Sequence, residues 1–200
     1  MIPQLGERGI AHRAANYTEK EFMRRVCVFC GSKCGKGLQY IEATRVFAQC
    51  LVRRGLGLVY GGGDIGLMGI LADTMLPLGG EVIGVIPRLL EAKELAHHGI
   101  TELHFVESMH ARKALMADKA SAFVALPGGF GTADELFEIL TWRQLHIHDK
   151  AIGILNVAGF FDPLLQWLDR MVEGGFLSEK NRQLLVVETV AESLLNKLGL

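Results

Sequence analysis

Short, unbroken apolar runs alternate with helical patterns along most of this chain. The runs cover residues 26–30, 56–60, 82–86, 103–106, 122–126, 151–155 and 184–187. Between them, one helical pattern carries Ile41, Ala48, Leu51 and Val52 on a single side and stops near Gly55. Others span residues 67–78, 111–120, 132–145, 161–172 and 190–198. A strand with one wet face alternates apolar and polar residues, whereas a strand covered on both faces is apolar throughout. Continuous runs alternating with helices therefore predict an α/β chain with a doubly wound, mainly parallel sheet. No linker or composition shift divides the repeat, so residues 26–200 are expected to form a single domain and residues 1–25 an N-terminal extension.

With 50% hydrophobic residues among 200, the chain can fill one core of ordinary size. Its 21 basic side chains nearly balance 22 acidic ones. Nucleic-acid binders usually carry a clustered basic excess, so no nucleic-acid partner is expected. No apolar run approaches the ~20 residues that span a bilayer, so no membrane contact is expected. Residues 1–25 lack the apolar core of a signal peptide, which makes a cytoplasmic location the expectation.

In a doubly wound sheet, ligands bind at the carboxyl ends of the strands, near the point where strand order reverses. Three such ends are rich in glycine here. They are Cys30-Gly31-Ser32, Gly61-Gly62-Gly63-Asp64-Ile65-Gly66-Leu67-Met68-Gly69 and Pro127-Gly128-Gly129-Phe130-Gly131-Thr132-Ala133-Asp134-Glu135. Glycine lets backbone N–H groups approach an anion with no Cβ in the way, and the following helix adds unpaired N–H groups and a favourable dipole. One such end would be read as a tight turn. Three together predict a shared anion site, for which phosphate is the natural ligand. The second end contains G-x-G-x-x-G, but it does not follow the first strand and no ribose-binding acid ends a later strand. No G-x-x-x-x-G-K-[ST] is present, so a P-loop is excluded and no cofactor is expected.

Thr132-x-x-Glu135 has the spacing of a capping box, with threonine at the N-cap and glutamate three residues on. Cap and catalyst are competing roles, because a carboxylate folded back on its own helix cannot reach a substrate. Spacing alone leaves both open. Asp134 and Glu138 read as solvated or helix-stabilising. Arg112 and Lys113 are expected to open the helix before the third glycine-rich end, where cations oppose the helix dipole. That placement points to phosphate or carboxylate binding, against the usual fate of such residues as solvated charges.

Cys27, Cys30 and Cys34 have the look of a metal motif, but Cys27 and Cys30 stand at odd spacing in a strand and should face opposite sides of it. Two such thiolates cannot share one tetrahedral zinc, so buried free thiols and no metal are expected. Neither His97-His98 nor the His146, His148 pair has metal-ligand spacing on a regular element.

These residues together resemble the Lonely Guy family of cytokinin riboside monophosphate phosphoribohydrolases, whose members have often been labelled lysine decarboxylases. The stretch from Pro127 to Glu135 matches that family's P-G-G-x-G-T-x-x-E signature. So do Phe29-Cys30-Gly31-Ser32, Tyr60-Gly61-Gly62-Gly63, Gly66-Leu67-Met68-Gly69 and Val82-Ile83-Gly84-Val85-Ile86-Pro87 look like family segments. Glu107-Ser108-Met109-His110-x-Arg112-Lys113, Thr141-Trp142-x-Gln144-Leu145 and Gly153-Ile154-Leu155-Asn156 extend the likeness over nearly the whole chain from Val26. The chain departs from the pattern at Lys33-Cys34, Leu38 and Asp134, which bears on phosphate-side detail and substrate preference.

The resemblance implies a Rossmann-like fold, a homodimer, and hydrolysis of adenosine monophosphate or its N-substituted derivatives to free base and ribose 5-phosphate. It places catalysis on Arg112 and Glu135. It places substrate contacts on Glu94, Lys113, Gly128, Gly129, Phe130, Gly131, Thr132, Asp134 and Thr141, with Gly31, Ser32, Gly61 and Gly62 completing the phosphate side. The rival is a carrier of a nucleotide or of a phosphorylated cofactor such as the molybdenum cofactor, which would use the anion loops without turnover. A lysine decarboxylase would need a Schiff-base lysine, for which Lys113, Lys119 and Lys150 offer no recognisable setting.

Overall fold

A computed structural model describes residues 24–91 and 95–200. The expected extension, residues 1–25, lies almost wholly outside the described residues; its last residue, Arg25, already belongs to the first strand. Seven strands form one sheet: β1 (Arg25–Phe29), β2 (Gly57–Tyr60), β3 (Val82–Pro87), β4 (Glu102–Val106), β5 (Ala122–Ala125), β6 (Ala151–Leu155) and β7 (Leu185–Glu188). Their order is β4-β3-β2-β1-β5-β6-β7, and every pairing is parallel. The connecting helices are α1 (Leu38–Arg53), α2 (Gly66–Met75), α3 (Met109–Lys119), α4 (Phe130–Gln144), α5 (Asp162–Glu173), the short α6 (Glu179–Arg182) and α7 (Ala191–Lys197).

The strand order explains the two layers of helices. From β1 the chain builds outward through β2 to β4, then returns to place β5 on the other side of β1 and builds outward again. Crossovers between parallel strands are right-handed, so reversing the direction of growth moves the helices to the opposite face. Phe47 and Leu51 of α1, Leu71 and Met75 of α2, and Leu194 of α7 pack on one face with Val26 and Val28. Met116 of α3, Leu136 and Ile139 of α4, and Leu168 of α5 pack on the other with Cys27 and Phe29. Both faces of β1 are thus buried, as its continuous apolar run requires, and Cys27 and Cys30 fall into opposite cores.

The reversal point lies between β1 and β5. A crevice opens there because the loops leaving the two strands diverge to opposite faces. Two of the three glycine-rich ends, after β1 and after β5, border it, and the third follows the neighbouring β2.

Candidate active site

Backbone hydrogen bonds tie the three glycine-rich ends together. Gly31 N–H donates to Pro127 O at 3.0 Å, and Leu67 N–H donates to Gly31 O at 3.0 Å. Gly66 takes a φ of +62°, and a Cβ there would run into the backbone of Ser32 and Lys33. Only glycine lets the second loop lie so close to the first. The result is a cleft of ≈ 160 Å³ lined by Gly31, Ser32, Gly61, Arg112, Gly129 to Thr132 and Glu135, with Val28, Cys30 and Met68. A second hollow of ≈ 320 Å³ shares Gly31, Ser32 and Gly129 with it and reaches Gly128, Lys33, Tyr40 and Phe160. That volume alone falls in the range of small-molecule sites, about 300–1,000 Å³.

The capping-box expectation is corrected at α4. The helix starts at Phe130, its N-cap is Gly129, and no side chain caps it. Thr132 is therefore already inside the first turn, and Glu135 lies beyond the capping position. With Gly129 as its N-cap, the helix begins three residues earlier than the Thr132 spacing suggested. Its first N–H groups have no partners within the helix, and Gly129 to Thr132 line the cleft. Glu135, only 9% exposed, is a cleft residue. A Cβ on Gly129 or Gly131 would meet nothing within 4 Å, and neither has a positive φ. Neither the packing nor the backbone demands glycine at these two positions.

Arg112 is 4% exposed, so the solvated-charge reading does not apply to it. Its Nε donates to Val85 O at 3.1 Å and its Nη2 to Gly61 O at 2.7 Å. The guanidinium is held by the ends of β3 and β2 and enters the cleft that contains Glu135. α3 starts at Met109, with the Ser108 hydroxyl accepting from Ala111 N–H at 3.1 Å. Arg112 and Lys113 thus sit at the end of the first turn rather than at its opening, where the dipole penalty has largely faded.

Burial, reinforced by the charge of Glu135, pushes the Cys30 thiol well above its ordinary range despite Arg112 nearby, and Cys27 behaves likewise. Both stay neutral thiols, and all four cysteines are free.

Four expected contacts among the described residues, Lys113, Asp134, Thr141 and Gly62, are not in the lining of this cleft. Lys113 pairs with Asp134 at 3.0 Å and with Glu138 at 3.1 Å. Of the two readings of Glu138, solvated or helix-stabilising, the first does not hold, because its side chain is 21% exposed and its carboxylate is paired. The Thr141 hydroxyl donates to Phe137 O at 2.7 Å, and its residue lines a separate apolar groove of ≈ 250 Å³ with Phe137, Leu140, Trp167 and Met171. Glu94 lies outside the described residues. Gly62 borders the second loop, where its carbonyl accepts from His97 N–H at 2.9 Å.

Sequence spacing gave no hint of one cluster. His97 Nε2 lies 3.1 Å from Asp73 and 3.6 Å from Asp64, residues far apart in the chain. The short bridge between Gly63 and Ala96 brings them together. Gly99 N–H donates to His97 Nδ1 at 3.2 Å, which leaves the ring proton on Nε2. The nitrogen facing the carboxylates is therefore a donor, and the cluster is a latch between the second glycine-rich loop and the segment after β3.

Comparison with known proteins fits this geometry. A family model described as "Possible lysine decarboxylase" matches residues 68–198. Cytokinin riboside 5'-monophosphate phosphoribohydrolase LOG3 of Arabidopsis thaliana is 47% identical over 90% of this chain and 84% of its own length. The probable phosphoribohydrolase LOGL1 of Oryza sativa subsp. japonica is 48% identical over 87% of this chain and 78% of its own. The chain belongs to this LOG family. Among solved structures, the molybdenum cofactor carrier protein of Chlamydomonas reinhardtii superposes with a TM-score of 0.65, covering 85% of this chain and 92% of the carrier. At 19% identity that likeness extends to the Rossmann-like fold alone, which the LOG chain shares with the carrier. The decarboxylase wording of the family model finds no support at Lys113: a Schiff-base lysine must lose its proton, whereas Lys113 is held charged by two carboxylates.

Proposed function

We propose that this protein hydrolyses the N-glycosidic bond of a nucleoside 5'-monophosphate, adenosine monophosphate or a cytokinin riboside monophosphate, to free base and ribose 5-phosphate. The observation that carries this reading is the meeting of Arg112 and Glu135, from different helices, in one cleft with three glycine-rich strand ends. The phosphate sits against the N–H groups at the start of α4 and the loops at Gly31, Ser32 and Gly61. As the bond between C1' and the base nitrogen lengthens, the ribose gains oxocarbenium character. Glu135 stabilises that positive charge and accepts a proton from the attacking water, whose oxygen bonds to C1' while the base leaves with the electron pair and takes up a proton. Arg112, fixed by two backbone carbonyls, orients Glu135 or the ribose phosphate. A carrier would use the anion loops but would have no use for a buried carboxylate beside a buried guanidinium.

With this reading go a homodimer and a cytoplasmic location. The groove between α4 and α5 is apolar, and Trp167 within it is 55% exposed, as suits a face covered by a second copy. Four free cysteines suit a reducing compartment. No described helix is long and apolar enough to cross a membrane. Incubation with adenosine monophosphate and with isopentenyladenosine monophosphate, followed by chromatography for free base, tests the activity. Tight binding of both without release of base would instead support the carrier.

A further inference from the structure

One short turn, between α4 and β6, reaches both helices that supply the cleft. His148 donates from Nε2 to Ile139 O of α4 at 3.1 Å. Its Nδ1 accepts from the Lys150 backbone N–H at 3.1 Å. Lys150 then donates from Nζ to Ala117 O of α3 at 2.7 Å. Ala117 follows Arg112 by five residues, and Ile139 follows Glu135 by four, about one helical turn. Residues 148–150 therefore fasten α3 to α4 just behind the two residues that meet in the cleft. Neither His148 nor Lys150 lines that cleft, so a ligand held there does not compete for these bonds.

The chemistry of each contact suits its place. Ala117 stands in the last turn of α3, where carbonyls run out of helical N–H partners and a cation meets the negative end of the dipole. A carbonyl has two lone pairs, so Ile139 O accepts from His148 without giving up its place in α4. The imidazole lies against the buried Phe123 of β5, the strand that joins α3 to α4, with 5.3 Å between ring centroids. Both ring nitrogens are satisfied only in the neutral imidazole with its proton on Nε2. Burial lowers the His148 pKa by more than the bond to Ile139 raises it, and the charges of Lys150 and Arg143 add to the fall, which keeps that neutral form. We propose that His148 and Lys150 are positioning residues for the hydrolysis: by fastening α3 to α4 through backbone carbonyls, they set the separation of Arg112 and Glu135. The proposal rests on the hydrolase reading above.

The test compares Lys150→Met, which keeps an unbranched side chain and removes its donors, with Lys150→Arg, which keeps a donor. His148→Leu and His148→Gln make the same comparison at the other contact, since glutamine still donates to Ile139 O. In adenosine monophosphate hydrolysis, measured well below each melting temperature, Lys150→Met and His148→Leu are expected to lower kcat by about 10- to 100-fold with KM nearly unchanged, the scale set by small misplacements of a reacting group. Lys150→Arg and His148→Gln retain most of kcat. Wild-type kcat in Lys150→Met and His148→Leu would overturn the proposal, whether or not KM rises. So would equal losses in the variants that keep a donor and those that lack one. Crystal structures of ligand-free wild type and Lys150→Met read the same effect without turnover. A displacement of Arg112 relative to Glu135 by about 1 Å supports the proposal, and an unmoved pair refutes it even where wild type releases base. A wild type that releases no base would instead bring down the hydrolase reading.

Discussion

Arg112→Lys keeps a cation in the cleft and removes its anchorage. The guanidinium donates from two separate nitrogens, Nε to Val85 O at 3.1 Å and Nη2 to Gly61 O at 2.7 Å. A lysine carries all its donors on one nitrogen and cannot stand in both places. At least one buried carbonyl loses its donor, at a cost of about 1–3 kcal/mol. In a domain of this size each kcal/mol is worth about 2–4 °C, so a cost near 2 kcal/mol lowers Tm by about 4–8 °C. The ammonium also no longer sits where the guanidinium orients the reacting groups, and misplacement on the scale of 1 Å costs about 100-fold in rate. Calorimetric melts and base release from adenosine monophosphate, measured on the same preparation, read both effects. A variant with unchanged Tm and undiminished rate would refute the view that fixed geometry, and not charge alone, is what Arg112 supplies.

Gly131→Ala separates folding from binding: nothing lies within 4 Å of the added Cβ and the residue is helical. Alanine is the better helix former, so Tm holds or rises, while calorimetric affinity for ribose 5-phosphate falls. The Glu192 carboxyl is pulled down to about 2 from its ordinary 4.5, first by the hydrogen bond from Arg53 and then by that from Arg54. A depressed carboxylate adds stability above its unfolded pKa and loses it as pH falls through the folded one. Glu192→Gln should therefore melt below wild type at neutral pH, with the gap closing between about pH 4.5 and pH 2 in a pH series of melts. Trp167→Glu places a charge in the apolar groove between α4 and α5 and should convert the proposed homodimer to monomer in light scattering.

The sheet was legible because burial on both faces writes a continuous apolar run, and β1, β3 and β6 are such runs. The helix starts were less so. α4 begins at Phe130, because a glycine N-cap carries no side-chain signal, whereas Thr132 and Glu135 imitate one. The same shift frees Glu135 for the cleft, so the ambiguity between cap and catalyst was one of register, which periodicity defines poorly. Convergence of the glycine-rich ends followed from the doubly wound topology. The Lys113 pair with Glu138 and the latch of His97 with Asp64 and Asp73 did not, since each joins elements whose relative rotation no local pattern records.

The central claim concerns Glu135, and Glu135→Gln tests it with the least disturbance, since the amide keeps the shape and removes the charge. Wild type should release free base and ribose 5-phosphate from adenosine monophosphate in equal amounts. The variant should bind the nucleotide with similar affinity and turn it over about 100- to 10,000-fold more slowly, the range over which a positioned acid–base group acts. Hydrolysis by Glu135→Gln at the wild-type rate would contradict the account.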